Sequence, residues 1–188
     1  MRIYIFCLSL ITFLGMSELV AEPDSSKVKE LVSKAQSGDV VAQRTLGAIM
    51  VRGEGVAKDV VQGWKWYQRA AEGGDSEAQV SLAVRFTHVD GPEKDLIKGA
   101  AWFLKAAEQG DAYAQRNIAS MYFKGTGVPT NYEEAYAWYS IAAVKGYAET
   151  DFYSLEKKMS PDQISKAQAR SAILFKQIEE RAAKKQGR

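Results

Sequence analysis

The chain is poor in the side chains that most enzymes and metal sites depend on. It has one histidine, His88, and one cysteine, Cys7, in 188 residues. A zinc site needs several His, Cys or carboxylate ligands at close spacing, so this inventory argues against one. A nucleophile activated by a neighbouring imidazole would have to use His88, which stands at the same place in its segment as Arg52 and Lys124 do in theirs. That placement makes it a polar residue near a helix end rather than a catalytic base. No glycine-rich phosphate loop follows a strand pattern. The formal net charge is only +2, which points to neither nucleic acid nor an anionic membrane as the partner. No metal, cofactor or catalytic residue is expected from these absences.

Long apolar runs are also scarce, with a single exception at the start. Residues 3–16 are apolar apart from small or weakly polar side chains, and Met1-Arg2 precedes them. A helix of that length spans about 21 Å, short of the ~30 Å hydrocarbon layer. A cleaved signal peptide over residues 1–21 fits better than a membrane anchor, with the cut after Ala21, or alternatively after Ser17. Cys7 lies inside this leader behind bulky residues, which disfavours lipidation. The mature chain would then fold with no cysteine at all, would not insert in a membrane, and would reside in the periplasm.

What the sequence does have is repetition. Gly38-Asp39-Val40-Val41-Ala42-Gln43, Gly74-Asp75-Ser76-Glu77-Ala78-Gln79 and Gly110-Asp111-Ala112-Tyr113-Ala114-Gln115 recur every 36 residues. A fixed period of this length marks a solenoid, in which each small unit packs on its neighbours. Within each unit Ala42, Leu46 and Met50, then Ala78, Leu82 and Phe86, then Ala114, Ile118 and Tyr122 fall on one helical face. Gly47, Ala83 and Ala119 stand beside that stripe, where backbones would approach. Asp59, Asp95 and Asn131 announce a second helix as N-caps, while Asp75 and Asp111 recur as cap or turn residues.

The second helices carry Trp66, Trp102 and Trp138 at one repeat position, which predicts core packing rather than a sugar platform. Trp64 falls outside that series and is expected to be partly exposed. The result is an all-α reading: a leader (1–21), an N-terminal capping helix (22–38), and repeats at 39–74, 75–110 and 111–146. A degenerate repeat and a C-terminal capping helix follow (147–188). The stripe Ala148, Phe152, Leu155 and Met159 precedes a start signal at Ser160-Pro161-Asp162-Gln163, and the last helix is expected over 162–184 with a frayed tail. The loop of the second unit, residues 88–92, departs from the Gly-x-Gly-Val pattern of the other two.

These residues resemble the Sel1-like repeat: Ala-x3-Leu-Gly/Ala-x2-aromatic, Gly-x-Gly-Val, then Trp-Tyr-x2-Ala-Ala-x2-Gly, over about residues 35–146. The resemblance implies right-handed stacking of antiparallel helix pairs, as in tetratricopeptide solenoids, with the first helices lining a concave face. It also implies an adaptor for other proteins. A cysteine-rich subgroup is associated with β-lactams, and the two cysteines per repeat of that subgroup are missing here.

Positions turned away from the packing stripe vary between units and line up across them. Arg44, Ala48 and Arg52 align with Val80, Val84 and His88, and these with Arg116, Ser120 and Lys124, with Tyr113 one turn earlier. They form a hypothetical groove with a mainly basic rim, suited to a partner segment with apolar anchors and some acidic residues. The expected function is a periplasmic protein-binding scaffold or regulator without catalysis. The alternatives are a hydrolase acting on peptidoglycan or β-lactams, and an immunity or inhibitor protein against a secreted effector.

Overall fold

The computed structural model describes residues 25–88, 94–147 and 150–187. The expected leader, Cys7, most of the second-unit loop and Ala148 lie outside the described residues. The described residues form helices α1 (Ser25–Gln36), α2 (Val40–Arg52), α3 (Val60–Glu72), α4 (Ser76–His88) and α5 (Leu96–Glu108). They continue with α6 (Ala112–Lys124), α7 (Tyr132–Val144), α8 (Thr150–Glu156) and α9 (Pro161–Gln186). Helices α2 to α7 have 13 residues each, about 20 Å long, and pair as α2–α3, α4–α5 and α6–α7. Each pair packs on the next through α3–α4 and α5–α6, so the architecture is an all-α solenoid.

Local chemistry sets the helix starts. A side-chain oxygen of Asp39, Asp75 and Asp111 accepts from the amide of Ala42, Ala78 and Ala114 at 2.7–2.8 Å. Asp59, Asp95 and Asn131 do the same for the second helices at 2.9–3.0 Å. Each bond satisfies one donor that a helix start leaves without a partner. The backbone amides of Asp59, Asp95 and Asn131 reach back to the carbonyls of Met50, Phe86 and Tyr122 at 2.9–3.0 Å. Cap and hairpin are therefore tied by one residue. The first helices end on Gly53 and Gly125 at φ 76° and 69°, a left-handed cap that glycine adopts without a side-chain clash.

At the first pair, Gly47 and Gly63 let the backbones touch: a Cβ on Gly47 would stand 2.8 Å from the Gly63 carbonyl oxygen. Ala42, Leu46, Ala78, Leu82, Ala114 and Ile118 are buried, as the stripe requires. Among the tryptophans only Trp138 is fully buried, at 1% exposure, whereas Trp66 and Trp102 are half-buried. Trp64 is also half-buried, between the Tyr67 ring at 4.9 Å and the Arg85 guanidinium at 4.5 Å.

The reason for Trp138 is α9. This helix packs along α7 and its C-terminal half continues past α7 to the end of α5, where Arg181 meets Glu108 at 2.9 Å and Lys185 meets Gln109 at 2.7 Å. Those contacts keep it helical through Gln186, beyond the expected end near 184. Arg69 and Lys105 lie over Trp66 and Trp102 at 4.5 and 4.2 Å, but the matching residue of the third unit is Ile141, 3% exposed. Lys65 and Ala101 likewise become the buried Ala137. A face that is polar on α3 is apolar on α7, so α9 finds apolar surface there. Of the apolar residues on α9, Ala167 and Leu174 are buried, whereas Ile173 and Phe175 stand 52% and 39% exposed. At the other end, α1 buries Ala35 against Ala42 and Leu46.

Candidate interaction surface

The first helices α2, α4 and α6 carry all ten candidate groove residues. Along them runs one periodic row, Thr45, Ser81 and Asn117. Each side chain turns back on its own helix: Thr45 donates to the Val41 carbonyl at 2.8 Å, Ser81 to Glu77 at 2.9 Å and Asn117 to Tyr113 at 2.7 Å. These three hydrogen bonds stay within their own helices and tie no two helices together.

The cations flanking this row are engaged within the chain. Arg44 reaches the Asp75 carboxylate at 3.0 Å and Glu77 at 2.7 Å, tying the first unit to the second. Arg52 pairs with Glu54 at 2.7 Å and Lys124 with Asp151 at 2.9 Å. The Arg116 guanidinium lies 5.3 Å from the Tyr113 ring centre. The field of this rim is therefore weaker than its number of cations suggests. Asp75 and Asp151 are the participants that sequence reasoning missed as partners; Asp75 was legible only as a cap.

Val80 and Val84 are half-buried against the core, as is Tyr113, whose ring is 6.2 Å from Phe103. Ala48 is half-buried as well. His88 closes α4, exposed, with Nδ1 2.8 Å from the Thr87 hydroxyl oxygen. The structure brings three of the ten residues together: His88, Ser120 and Lys124 line one cavity of about 140 Å³ between the ends of α4 and α6 and the start of α5. The other seven are spread along the three helices. On the opposite side of α6, burial pushes the Tyr122 hydroxyl above its ordinary value, and the Glu134 carboxylate adds to the shift. Glu134 is held by Arg170 of α9 at 2.7 Å.

The Sel1 repeat model matches residues 40–75, 76–111 and 112–147, more than half of the sequence. The chain belongs to the Sel1 repeat family. A Sel1 repeat protein of solved structure from Oxalobacter formigenes is 31% identical with a TM-score of 0.63, over 71% of this chain and 98% of that one. The structure of c5321, a protective antigen present in uropathogenic Escherichia coli strains and displaying an SLR fold, is 29% identical with a TM-score of 0.59. That similarity covers 76% of this chain and 33% of c5321. A search of curated proteins finds no match. Sel1 repeats generally mediate protein–protein interaction, and the scaffold is generally non-catalytic. No helix among the described residues is long and apolar enough to cross a membrane.

Proposed function

We propose that this Sel1 repeat chain is a protein-binding scaffold or regulator without catalytic activity, exported to the periplasm and holding a segment of another protein across α2, α4 and α6. The row Thr45, Ser81 and Asn117 carries this reading, because its side chains bond only to their own helices and leave that face to a partner. The variation of the flanking residues from unit to unit supports it, since packing positions repeat while these do not. Export rests on the short apolar run at residues 3–16 behind Arg2. Inhibition of a secreted effector is one form such binding would take.

The test is crosslinked capture from envelope extract by residues 22–188, compared with a Thr45→Trp, Ser81→Trp double variant. Neither wild-type side chain bonds across a helix interface, and circular dichroism of the double variant checks that it folds before capture is compared. Reversing Arg44 would be a poorer choice, since a glutamate there would meet Asp75 and Glu77. Loss of a captured protein from the folded variant is the expected result. Equal capture by both chains would move the site elsewhere, and turnover of labelled cell wall or a chromogenic β-lactam would replace the scaffold reading with a hydrolase.

A further inference from the structure

The cavity at the ends of α4 and α6 departs from the repeat. Thr87 and Leu96 line it, and one unit later their places are taken by Phe123 and Tyr132, whose rings meet at 5.9 Å. Two aromatic rings thus occupy the later junction, where the earlier one has a threonine and a leucine and leaves a space of about 140 Å³. Its floor is apolar and well packed: Phe103 is 1% exposed and Met121 is 7% exposed. Its rim includes Asn117, Ser120, His88 and Lys124, and no carboxylate is among the described lining residues. An apolar cavity of about 150 Å³ is enough for a benzene-sized group.

We infer that this cavity is the anchor site of the face, taking one leucine- or phenylalanine-sized side chain from an extended segment of the partner protein. The inference rests on the reading of α2, α4 and α6 as a binding face, because Asn117 belongs both to the free row and to the cavity rim. Size selects the anchor: alanine leaves the space unfilled, and the buried floor rejects a charged side chain. Charge selects its neighbours. With the Lys124 ammonium at the rim, residues flanking the anchor are neutral or acidic, an acidic one competing with Asp151 for that ammonium.

The experiment uses the chain labelled at its methionine methyls and three probes: the N-acetyl methylamides of leucine, phenylalanine and glycine. The leucine or phenylalanine probe is expected to shift the Met121 methyl saturably, and the glycine probe is not. Ser120→Leu fills the space and weakens that binding by about tenfold or more, as overpacking excludes the guest. The variant keeps its fold because the equivalent position of the second unit is already Val84. A Met121 signal unmoved by either apolar probe, or moved equally in Ser120→Leu, would overturn the anchor site. Probe binding is read without a partner, and Thr45 and Ser81 do not line the cavity. Failure of the anchor and failure of the binding face are therefore separate results.

Discussion

Gln79 of α4 donates its side-chain amide to the Ala71 carbonyl of α3 at 3.0 Å, across the junction between the first two units, with only 4% of the residue exposed. The bond recurs from Gln43 to Ala35 at 3.0 Å and from Gln115 to Ala107 at 3.1 Å. The accepting carbonyls sit in the last turn of α1, α3 and α5, and each also accepts the backbone amide of the glycine that closes the helix, Gly38, Gly74 or Gly110, at 2.9–3.3 Å. Each glutamine therefore stitches a helix end to the next unit. Gln79→Ala should lower unfolding stability by about 1–3 kcal/mol, because it removes this bond and also the one that the Gln109 amide donates to Gln79 Oε1 at 2.8 Å. Urea denaturation followed by circular dichroism reads it, and an unchanged midpoint would show that the stitch is ornamental.

The contact of α2 with α3 depends on the missing side chains of Gly47 and Gly63. A Cβ on Gly63 would lie 2.6 Å from Val51 Cγ2 and 2.8 Å from the Gly47 carbonyl oxygen. Gly63→Ala is expected to cost about 1–3 kcal/mol through overpacking, even though alanine is the better helix former. Thermal unfolding of the single variant decides it. A rise in Tm would mean that the pair can separate at little cost.

Trp138 and Ile141 owe their burial to α9. Removing residues 161–188 should expose both, red-shift the tryptophan emission and lower Tm, because two large apolar side chains lose their cover. Trp66, in the first unit, should report no change, since α9 packs along α7 and reaches the end of α5. The counterpart is Leu174→Ala, which keeps the helix but opens its contact with α7, at a cost of about 2–5 kcal/mol. A truncated chain with an unshifted emission spectrum would show that α9 is dispensable for this burial.

The Asp95 carboxyl is held below its ordinary value, first by the backbone amide of Lys98 and then by the Lys98 side chain, whose ammonium stands 3.0 Å away. A lowered value in the folded state means that the charged cap favours folding above the ordinary carboxylate range. That contribution disappears as pH falls through the folded value. Lys98→Met should move the Asp95 titration upward toward the ordinary range, as followed by carboxyl NMR shifts. Asp95→Asn should keep the cap and remove its pH dependence. An Asp95 midpoint unmoved by Lys98→Met would assign the shift to the backbone amide alone.

Much of the framework was legible before folding because it is local. Asp59, Asp95 and Asn131 cap helices through bonds three residues along, and Gly53 and Gly125 end them through their own φ. The Ala-Leu-aromatic stripes follow from helical spacing. Gln43, Gln79 and Gln115 were visible as repeat markers, but their partners stand eight residues earlier in another helix, which spacing does not reveal. The candidate groove was partly legible: alignment of units placed its ten residues on three helices, and three of them line the cavity. Pairing of Arg44 with Asp75 and of Lys124 with Asp151 joins successive units, and neither acid is marked as a partner by its neighbours in sequence.

The sequence by itself determined the period, the helix limits of the repeats and the stacking order, because each depends on interactions within about 36 residues that every unit repeats. Only the tertiary structure decided where the repetition breaks. Helix α9 crosses from α7 to Gln109 of α5 and buries Trp138 but not Trp102. Thr87 and Leu96 stand where Phe123 and Tyr132 stand one unit later, and a cavity lies beside them. Both outcomes depend on which side chains from distant segments compete for the same volume, a quantity that exists only once the helices are packed.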